Sequence, residues 1–291
     1  MTAPIQDVLD LLDLEKIEEN IFRGISPKVG LQRVFGGQVL GQALVAATRT
    51  VEGRQCHSLH AYFLRAGDPA VPILYQVDRS RDGASFTSRR VVAIQHGRPI
   101  FTLEASFQRE EEGFDHAFDM PEVPVPESLV AAETLRAQVA GRLPPDLRAL
   151  ALLPHPIETR PVDPRPYFAP EKRPPGAMHW IRADGAMPDD PALHRAVLAF
   201  ASDMSLLDTG LYPHGIGWFD NKVQLASLDH AMWFHRPFRA DQWLLYVQDS
   251  PSASGARSFN RGMLFARNGM LVASVAQEGL MRPRDAHKSG H

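Results

Sequence analysis

Three polar residues in the second half of the chain stand where apolar residues are expected. Asp203 is the only acid in the apolar segment Ala192–Leu207, and Gln277 lies on an otherwise apolar face of the segment Leu271–Glu278. A buried carboxylate without a partner costs several kcal/mol, so Asp203 must be paired, neutral or placed in a cavity. In a cavity it could act as a general base toward water, with the hydroxyl of Ser227 and the Gln277 amide orienting that water.

A purely structural role stays open for each of these residues. Asp203 could accept a hydrogen bond from a backbone amide or from the neighbouring hydroxyl of Ser202. Gln277 could be a structural glutamine whose bonds are all made within the core.

Other reactive combinations are less complete. Cys56 and His57 resemble a nucleophile and base, but neighbours on a strand point to opposite faces, which favours packing for Cys56. The chain has no Gly-x-Ser-x-Gly, no His-Glu-x-x-His and no paired cysteines, so we expect neither a serine-hydrolase elbow nor a metal or other cofactor. The segment Gly215–Gly217 lacks the rest of a dinucleotide fingerprint and indicates a turn. His230 and His235 are usable bases, although aromatic strands often carry a satisfied histidine.

The elements that must hold these residues follow from periodicity and turn residues. Two segments that are apolar nearly all round, Gly36–Thr50 and Ala192–Leu207, predict helices buried by a sheet. Hairpin turns are expected at His96-Gly97 and Asn268-Gly269, because glycine supplies a positive φ. Alternation and position predict further strands: Ile17–Arg23, Ile157–Val162, Leu228–His235 (opened by Ser227) and Leu271–Glu278.

The two halves of the chain repeat one order of landmarks. The first half contains His60, Tyr75, Ser85-Phe86 and His96-Gly97, and the second contains His230, Tyr246, Ser258-Phe259 and Asn268-Gly269. His60 precedes Gly97 by 37 positions, and His230 precedes Gly269 by 39. Conserved order and spacing indicate a duplication. Each copy is predicted to be one long apolar helix wrapped by a curved antiparallel sheet, which makes the fold class α+β.

The duplication supplies an internal comparison for the polar residues. Counting from the landmarks, His57 stands where the second copy has Ser227, and Ala105 stands where it has Gln277. The first predicted helix contains no acid to match Asp203. If these groups only held the fold together, both copies should need them. We therefore predict one functional site per chain, built by the second half.

Prolines mark the joint between the copies. Fifteen of the 24 prolines lie between positions 121 and 191, which prevents a long helix or central strand across most of that stretch. We predict one short helix there, around Glu127–Arg142, and three divisions of the chain: an N-terminal domain over residues 1–112, a linker over 113–154 and a C-terminal domain over 155–291.

Composition excludes several classes of protein. The net charge of −3 offers no broad footprint for nucleic acid, and no apolar run approaches the length of a spanning helix. The first residues have three acids and no basic cluster, unlike a signal peptide. A single cysteine fits a reducing compartment, so we expect a cytoplasmic protein without membrane insertion.

Several longer motifs resemble the acyl-CoA thioesterase II family, whose members are double-hotdog proteins. The resemblance runs from about Leu14 to Arg282 and is weaker across the linker. The motifs are these: Val34–Val39 with Gly41–Ala43, Tyr62–Arg65 with Gly67-Asp68, Arg81–Gly83 with Ser85-Phe86, Ala201–Asp203, Pro213–Gly217, His230–Phe238 and Gln277–Gly279.

The resemblance implies hydrolysis of fatty acyl-CoA by a water that Asp203, Ser227 and Gln277 orient. Some family members carry threonine where this chain has Ser227, and the hydroxyl is kept. The family also implies a homodimer of the double unit. Candidate substrate-binding residues are the following: Gly36, Gly37, Arg65, Arg89, Arg90, His230 and Arg236.

Two other functions stay open at this point. Hotdog domains also host acyl-CoA hydratases and dehydratases, which would want a histidine paired with the acid across the site. A non-catalytic acyl-CoA sensor would be expected to lack at least one of the three polar groups. The sequence does not set the acyl chain length.

Overall fold

The computed structural model describes residues 4–27, 32–143, 148, 151–165, 171–217 and 222–284. Its five labelled helices are: α1 Ile5–Leu12, α2 Gly36–Thr48, α3 Ala132–Val139, α4 Pro191–Ser202 and α5 Asp208–Leu211. No helix in the described part of the chain has the length and apolarity needed to cross a membrane.

In the described residues, all strand pairs are antiparallel and belong to one sheet of 13 strands. The first copy supplies β1 to β6: β1 Glu15–Glu18, β2 Ile21–Gly24, β3 Gln55–Phe63, β4 Ile73–Asp82, β5 Phe86–Gln95 and β6 Arg98–Gln108. The remaining strands follow α3: β7 Ile157–Pro161, β8 Gly176–Ala183, β9 Val223–Ser227, β10 Asp229–Phe234, β11 Leu244–Ser254, β12 Arg257–Ala266 and β13 Leu271–Pro283. The order is β1-β2-β4-β5-β6-β3-β10-β13-β12-β11-β8-β7, with β9 paired to β13.

The two copies join through the pair β3–β10 at the middle of this sheet. Each copy has one long helix on the sheet, α2 or α4, and most residues of each helix are buried. This arrangement confirms the predicted α+β fold with a repeated helix-and-sheet unit. The turn at His96-Gly97 is also confirmed, with φ of 49° and 69°, as is the positive φ of 89° at Gly269.

Glycines let α2 and α4 pack closely and in opposite directions. A Cβ added to Gly37 would lie 2.3 Å from the carbonyl oxygen of Phe200, and one added to Gly41 would lie 3.1 Å from that of Ala196. Moving forward along α2 therefore means moving backward along α4. The first turn of α2 consequently lies against the last turn of α4, where Asp203 follows.

Helix α4 is shorter than predicted. It begins at Pro191, where the Asp190 side chain accepts a hydrogen bond from the backbone N–H of Ala192, and it ends at Ser202 rather than Leu207. Asp203 is the C-cap residue, so its carboxylate stands at the end of the helix and not on a buried helical face. The apolar residues after it continue the helical pattern in sequence, which explains the wrong boundary.

Two strand predictions also need correction. The segment Ile17–Arg23 is divided between β1 and β2, which pair across a turn. Ser227 does not open the strand of His230 but ends the separate strand β9, and Leu228 interrupts the two. An irregularity of this kind leaves no mark in apolar periodicity.

The helix predicted around Glu127–Arg142 is shorter than expected. Within Glu127–Arg142, α3 covers Ala132–Val139 and is accompanied by single 3₁₀ turns at Pro126–Ser128 and Ala140–Arg142. Since β6 ends at Gln108 and β7 begins at Ile157, we propose the divisions 1–112, 113–154 and 155–291 as domain limits.

Candidate active site

Asp203 is the centre of a small cluster of polar side chains. The Gln277 amide nitrogen donates to Asp203 Oδ1 at 2.6 Å, and the Ser227 hydroxyl donates to the same oxygen at 3.4 Å. The Asp203 side chain is only 4% exposed. The structure therefore brings together the three residues that the sequence singled out.

Strand pairing explains why Ser227 and Gln277 meet. Ser227 lies opposite Gly279 of β13, two residues beyond Gln277 and so on the same face of the sheet. Leu228, between β9 and β10, donates its backbone N–H to the carbonyl of Glu278. Strands β9 and β10 are thus both paired with β13, and Leu228 is the irregular residue between them.

The first copy also contributes to the cluster. The backbone N–H of Gly37, in the first turn of α2, donates to the Asp203 carboxylate. A Cβ on Gly36 would lie 2.6 Å from Asp203 Oδ2, so glycine is required for this approach. The site predicted in the second half thus also includes the start of a first-copy helix, at two residues that the sequence named as binding candidates.

Burial sets the protonation behaviour of Asp203. Removal from water raises the pKa of its carboxyl to about 6, against the lowering effect of hydrogen bonds from Gln277, Ser227 and Gly37. The carboxylate is therefore mostly ionised at neutral pH, yet it can hold a proton more readily than a surface aspartate. That combination suits a general base.

Two protein-family profiles and a close relative identify the chain. The profile described as acyl-CoA thioesterase matches residues 148–280, and the one described as acyl-CoA thioesterase N-terminal domain matches residues 25–108. Human acyl-coenzyme A thioesterase 8 is 45% identical over 284 residues, which cover 94% of this chain and 88% of the human protein. The chain belongs to the acyl-CoA thioesterase family.

Bacterial relatives agree with this assignment. Acyl-CoA thioesterase 2 of Haemophilus influenzae is 39% identical to this chain. The alignment covers 97% of this chain and 99% of the Haemophilus protein. The crystal structure of an acyl-CoA thioesterase II from Mycobacterium marinum is 43% identical, with a TM-score of 0.79 over 96% of this chain and 100% of that one. The predicted family and double-hotdog fold are confirmed.

Strand register changes one detail of the comparison between the copies. Ser227 pairs with Gly279, ten residues after the turn glycine Gly269, and Cys56 pairs with Phe107, ten residues after Gly97. Cys56, not His57, is therefore the counterpart of Ser227. The count made from the sequence was one residue out because its landmark histidines are not equivalent: Leu59, not His60, lies opposite Ala105 as His230 lies opposite Gln277.

Cys56 itself is inert in this setting. Its side chain is buried, and burial raises the pKa of the thiol to about 12, so the thiolate needed for nucleophilic attack is absent at neutral pH. The packing role expected for Cys56 agrees with this environment. His57 instead bonds the hydroxyl of Ser106 at 2.8 Å.

Arg89 is not placed to bind substrate. Its side chain is 2% exposed and bonds the hydroxyl and carbonyl of Thr50, just past α2, and the carboxylate of Asp82. It lies opposite Ala105 on the neighbouring strand, as Asn260 lies opposite Gln277 in the second copy. Arg89 therefore fills the interior of the first copy, and the prediction of a substrate contact is wrong.

The other predicted binding residues are divided between surface and core. Arg65 bonds the carbonyl of Pro99, Arg90 lies 3.8 Å from Glu104, and Arg236 bonds the carbonyl of Leu271 and the side chain of Asp115. None of these partners belongs to the Asp203 cluster, so a CoA contact by these arginines stays a prediction. His230 is as completely buried as Gln277 and lies 3.9 Å from Asp203 Oδ1, so a substrate contact by this histidine also stays a prediction.

Proposed function

We propose that this thioesterase hydrolyses fatty acyl-CoA to a free fatty acid and coenzyme A through a water held by Asp203, Ser227 and Gln277. The main support is that the Gln277 amide, the Ser227 hydroxyl and the Gly37 backbone N–H all donate to the buried Asp203 carboxylate. Its human and Haemophilus influenzae relatives are named as acyl-CoA thioesterases.

Hydrogen-bonding capacity supports the arrangement of that water. The Gln277 amide nitrogen is occupied by Asp203, while its oxygen Oε1 is buried and has no partner among the described residues. A water can give one hydrogen to Gln277 Oε1 and the other to Asp203, which leaves an oxygen lone pair for attack on the thioester carbonyl.

The proton and electron balance is simple. Attack forms the carbon–oxygen bond, breaks a water O–H bond and transfers that proton to Asp203. Collapse of the tetrahedral oxyanion breaks the carbon–sulfur bond, and the departing thiolate takes the proton from Asp203. The enzyme thereby returns to its starting state without a covalent intermediate.

The oxyanion needs donors other than those already engaged. The Gly37 N–H and the Gln277 amide nitrogen both serve Asp203. We place the oxyanion near other first-turn amides of α2, beginning at Gly36, because the positive end of a helix favours developing negative charge.

The test is thiol release from acyl-CoAs of several chain lengths by the wild type and the Asp203→Asn variant. Loss of the base should lower kcat by about 10²- to 10⁴-fold. Asp208→Asn is the matched control, because Asp208 is a second buried acid, with a pKa of about 7, that lies outside the cluster. If Asp203→Asn keeps turnover within a factor of a few, the proposed base is wrong.

A hydratase reaction is separable in the same samples. His230 Nδ1 lies 3.9 Å from Asp203 Oδ1, but burial lowers the pKa of this imidazole to about 3, so the ring is neutral and is not the protonated acid that would complete a histidine–aspartate pair. Enoyl-CoA absorbance should therefore stay constant while thiol is released. Binding without either signal would instead identify a sensor.

Assembly and location remain predictions. We propose a homodimer of the double unit, and light scattering of the purified protein would contradict it by giving the mass of one chain. A cytoplasmic location follows only from the sequence features above, and fractionation of the source cells tests it.

A further inference from the structure

His230 is buried next to the proposed base. It lies on β10 with no exposed surface, and its Nε2 is 2.9 Å from the hydroxyl oxygen of Ser202. Its other ring nitrogen, Nδ1, is 3.9 Å from Asp203 Oδ1 and has no well-aligned hydrogen-bond partner among the described residues, although the Gln277 side chain lies close enough to raise the pKa of the ring against the larger lowering by burial. An unbonded nitrogen in the core is costly and calls for a reason.

The Ser202 hydroxyl fixes the tautomer of this ring. Ser202 donates its only hydroxyl hydrogen to the carbonyl of Ala199 at 2.9 Å. The contact with His230 must then use a hydrogen on Nε2. Burial lowers the pKa of His230 to about 3, so the ring is neutral and Nδ1 carries a lone pair.

The first copy shows that the fold does not need a histidine here. Ala231 lies opposite Ala276, so His230 and Gln277 are the next residues to face each other across β10 and β13. In the first copy, Leu59 lies opposite Ala105, the counterpart of Gln277. An apolar pair in one copy is thus replaced by histidine and glutamine in the copy that holds the acid.

We propose that His230 is a positioning residue for thioester hydrolysis, acting through the side chain of Gln277. A neutral Nδ1 can accept only from the amino side of the Gln277 amide, the side that already donates to Asp203 Oδ1 at 2.6 Å, so both acceptors favour the same orientation of that amide. Oε1 is then directed to the attacking water. This inference rests on the water-orienting role proposed for Gln277.

The contribution of His230 differs from that of Asp203 during turnover. While Asp203 is ionised, it can orient the amide alone through the 2.6 Å bond from Gln277. Once Asp203 holds the proton from water, its carboxyl group can donate a hydrogen bond. Asp203 could then also bond a Gln277 amide turned the other way, with Oε1 facing the carboxyl. The neutral His230 ring keeps its acceptor throughout the cycle and continues to disfavour the reversed amide.

A double-mutant cycle in kcat tests this action through Gln277. His230→Leu copies the first-copy residue and is expected to lower kcat by about tenfold to hundredfold, the effect of a misplaced reacting group, while KM changes little. Gln277→Ala should lower kcat by itself, and adding His230→Leu to it should change kcat little further. The rise of kcat with pH near 6 should persist in His230→Leu, because Asp203 and not His230 is the titrating base.

His194→Leu is the matched control for removing a buried histidine. His194 is 1% exposed and lies on α4, nine residues before Asp203, which is about 13 Å along a helix. It should lower the melting temperature without lowering kcat. If His230→Leu does not fold, Ser202→Ala removes the hydroxyl that fixes the tautomer and should lower kcat in the same Gln277-dependent way.

Three results would overturn the proposal: an unchanged kcat in His230→Leu, losses that multiply independently with Gln277→Ala, or disappearance of the pH dependence near 6. Absence of thiol release by the wild type would instead refute the proposed function. Measuring the wild type first keeps the two failures distinct.

Discussion

Replacing the proposed base should make the protein more stable at high pH while it removes activity. Burial raises the pKa of Asp203 from 3.8 to about 6, so ionising this group in the folded state is unfavourable. Asp203→Asn keeps the shape of the side chain and removes its titration. The predicted quantity is the free energy of unfolding of the variant relative to the wild type as a function of pH.

The magnitude follows from proton linkage. A difference of roughly 2 pKa units between folded and unfolded states corresponds to about 3 kcal/mol, at 1.36 kcal/mol per unit. Because the folded pKa is the higher one, the native wild type binds more protons than its unfolded chain between pH 3.8 and about 6. Wild-type stability therefore falls as pH rises through that window.

The free energy of unfolding of Asp203→Asn does not fall in this pH window, because the substituted side chain does not titrate. Relative to the wild type, Asp203→Asn should gain on the order of 2 kcal/mol between pH 4.5 and pH 8, since part of the window lies below pH 4.5. Its amino group cannot accept the Gly37 N–H, which costs about 1 kcal/mol at every pH. The slope with pH, and not the sign at one pH, is thus the informative observable.

Urea unfolding at several pH values provides the measurement. Asp208→Asn should show a similar pH-dependent gain, because burial also raises the pKa of Asp208 to about 7, yet it should keep turnover. A stability difference between Asp203→Asn and wild type that stays flat from pH 4.5 to 8 would refute the assigned burial cost. A gain accompanied by full activity would refute the catalytic role alone.

Three other predictions test the surroundings of the base. Gly36→Ala should lower kcat by about tenfold or more, because its Cβ would lie 2.6 Å from Asp203 Oδ2, whereas Gly113→Ala meets nothing within 4 Å and should match wild type. Arg89→Met should lower the free energy of unfolding by about 2–3 kcal/mol through loss of its buried bonds to Thr50, with kcat of the folded enzyme unchanged; a lost turnover would restore Arg89 to the substrate site. Calorimetric titration with a non-hydrolysable thioether analogue of acyl-CoA should give one site per chain, and two would contradict a single active copy.

The duplication and the central polar residues could be predicted from the sequence because each breaks a local pattern. An acid in an apolar helix and an amide on an apolar strand face stand out without any structure. Comparing the copies then showed which of these groups the fold can do without, and the register of Ala105 and Gln277 supports that comparison.

The details that the sequence predicted wrongly or missed depend on strand register and on packing between the copies, which leave no mark in the apolar periodicity. Leu228 separates two strands, so Ser227 belongs to β9, and strand register makes Cys56 its counterpart, whereas the count from His60 and His230 gave His57. The approach of Gly37 to Asp203 joins residues from different copies, and only the packing of α2 on α4 reveals it. Burial of His230 was likewise not predictable from the sequence, because His60, the landmark paired with it in the comparison of the two halves, is exposed.

Because α2 and α4 run in opposite directions, the start of each helix lies against the end of the other. Only one of these two places can hold this site. Where α2 begins with glycine and offers the Gly37 N–H, α4 begins with Pro191, which has no N–H, and its first turn is capped by its own Asp190. The C-cap of α4 is Asp203, whereas that of α2 is Arg49, a cation turned toward Asp13 at 2.7 Å. At the other end of the crossing, where α4 begins and α2 ends, both the backbone N–H donor and the carboxylate base are therefore missing. A single Arg49→Asp substitution would supply a carboxylate without the glycine amide to receive it, so the loss of the second site is built into both helices.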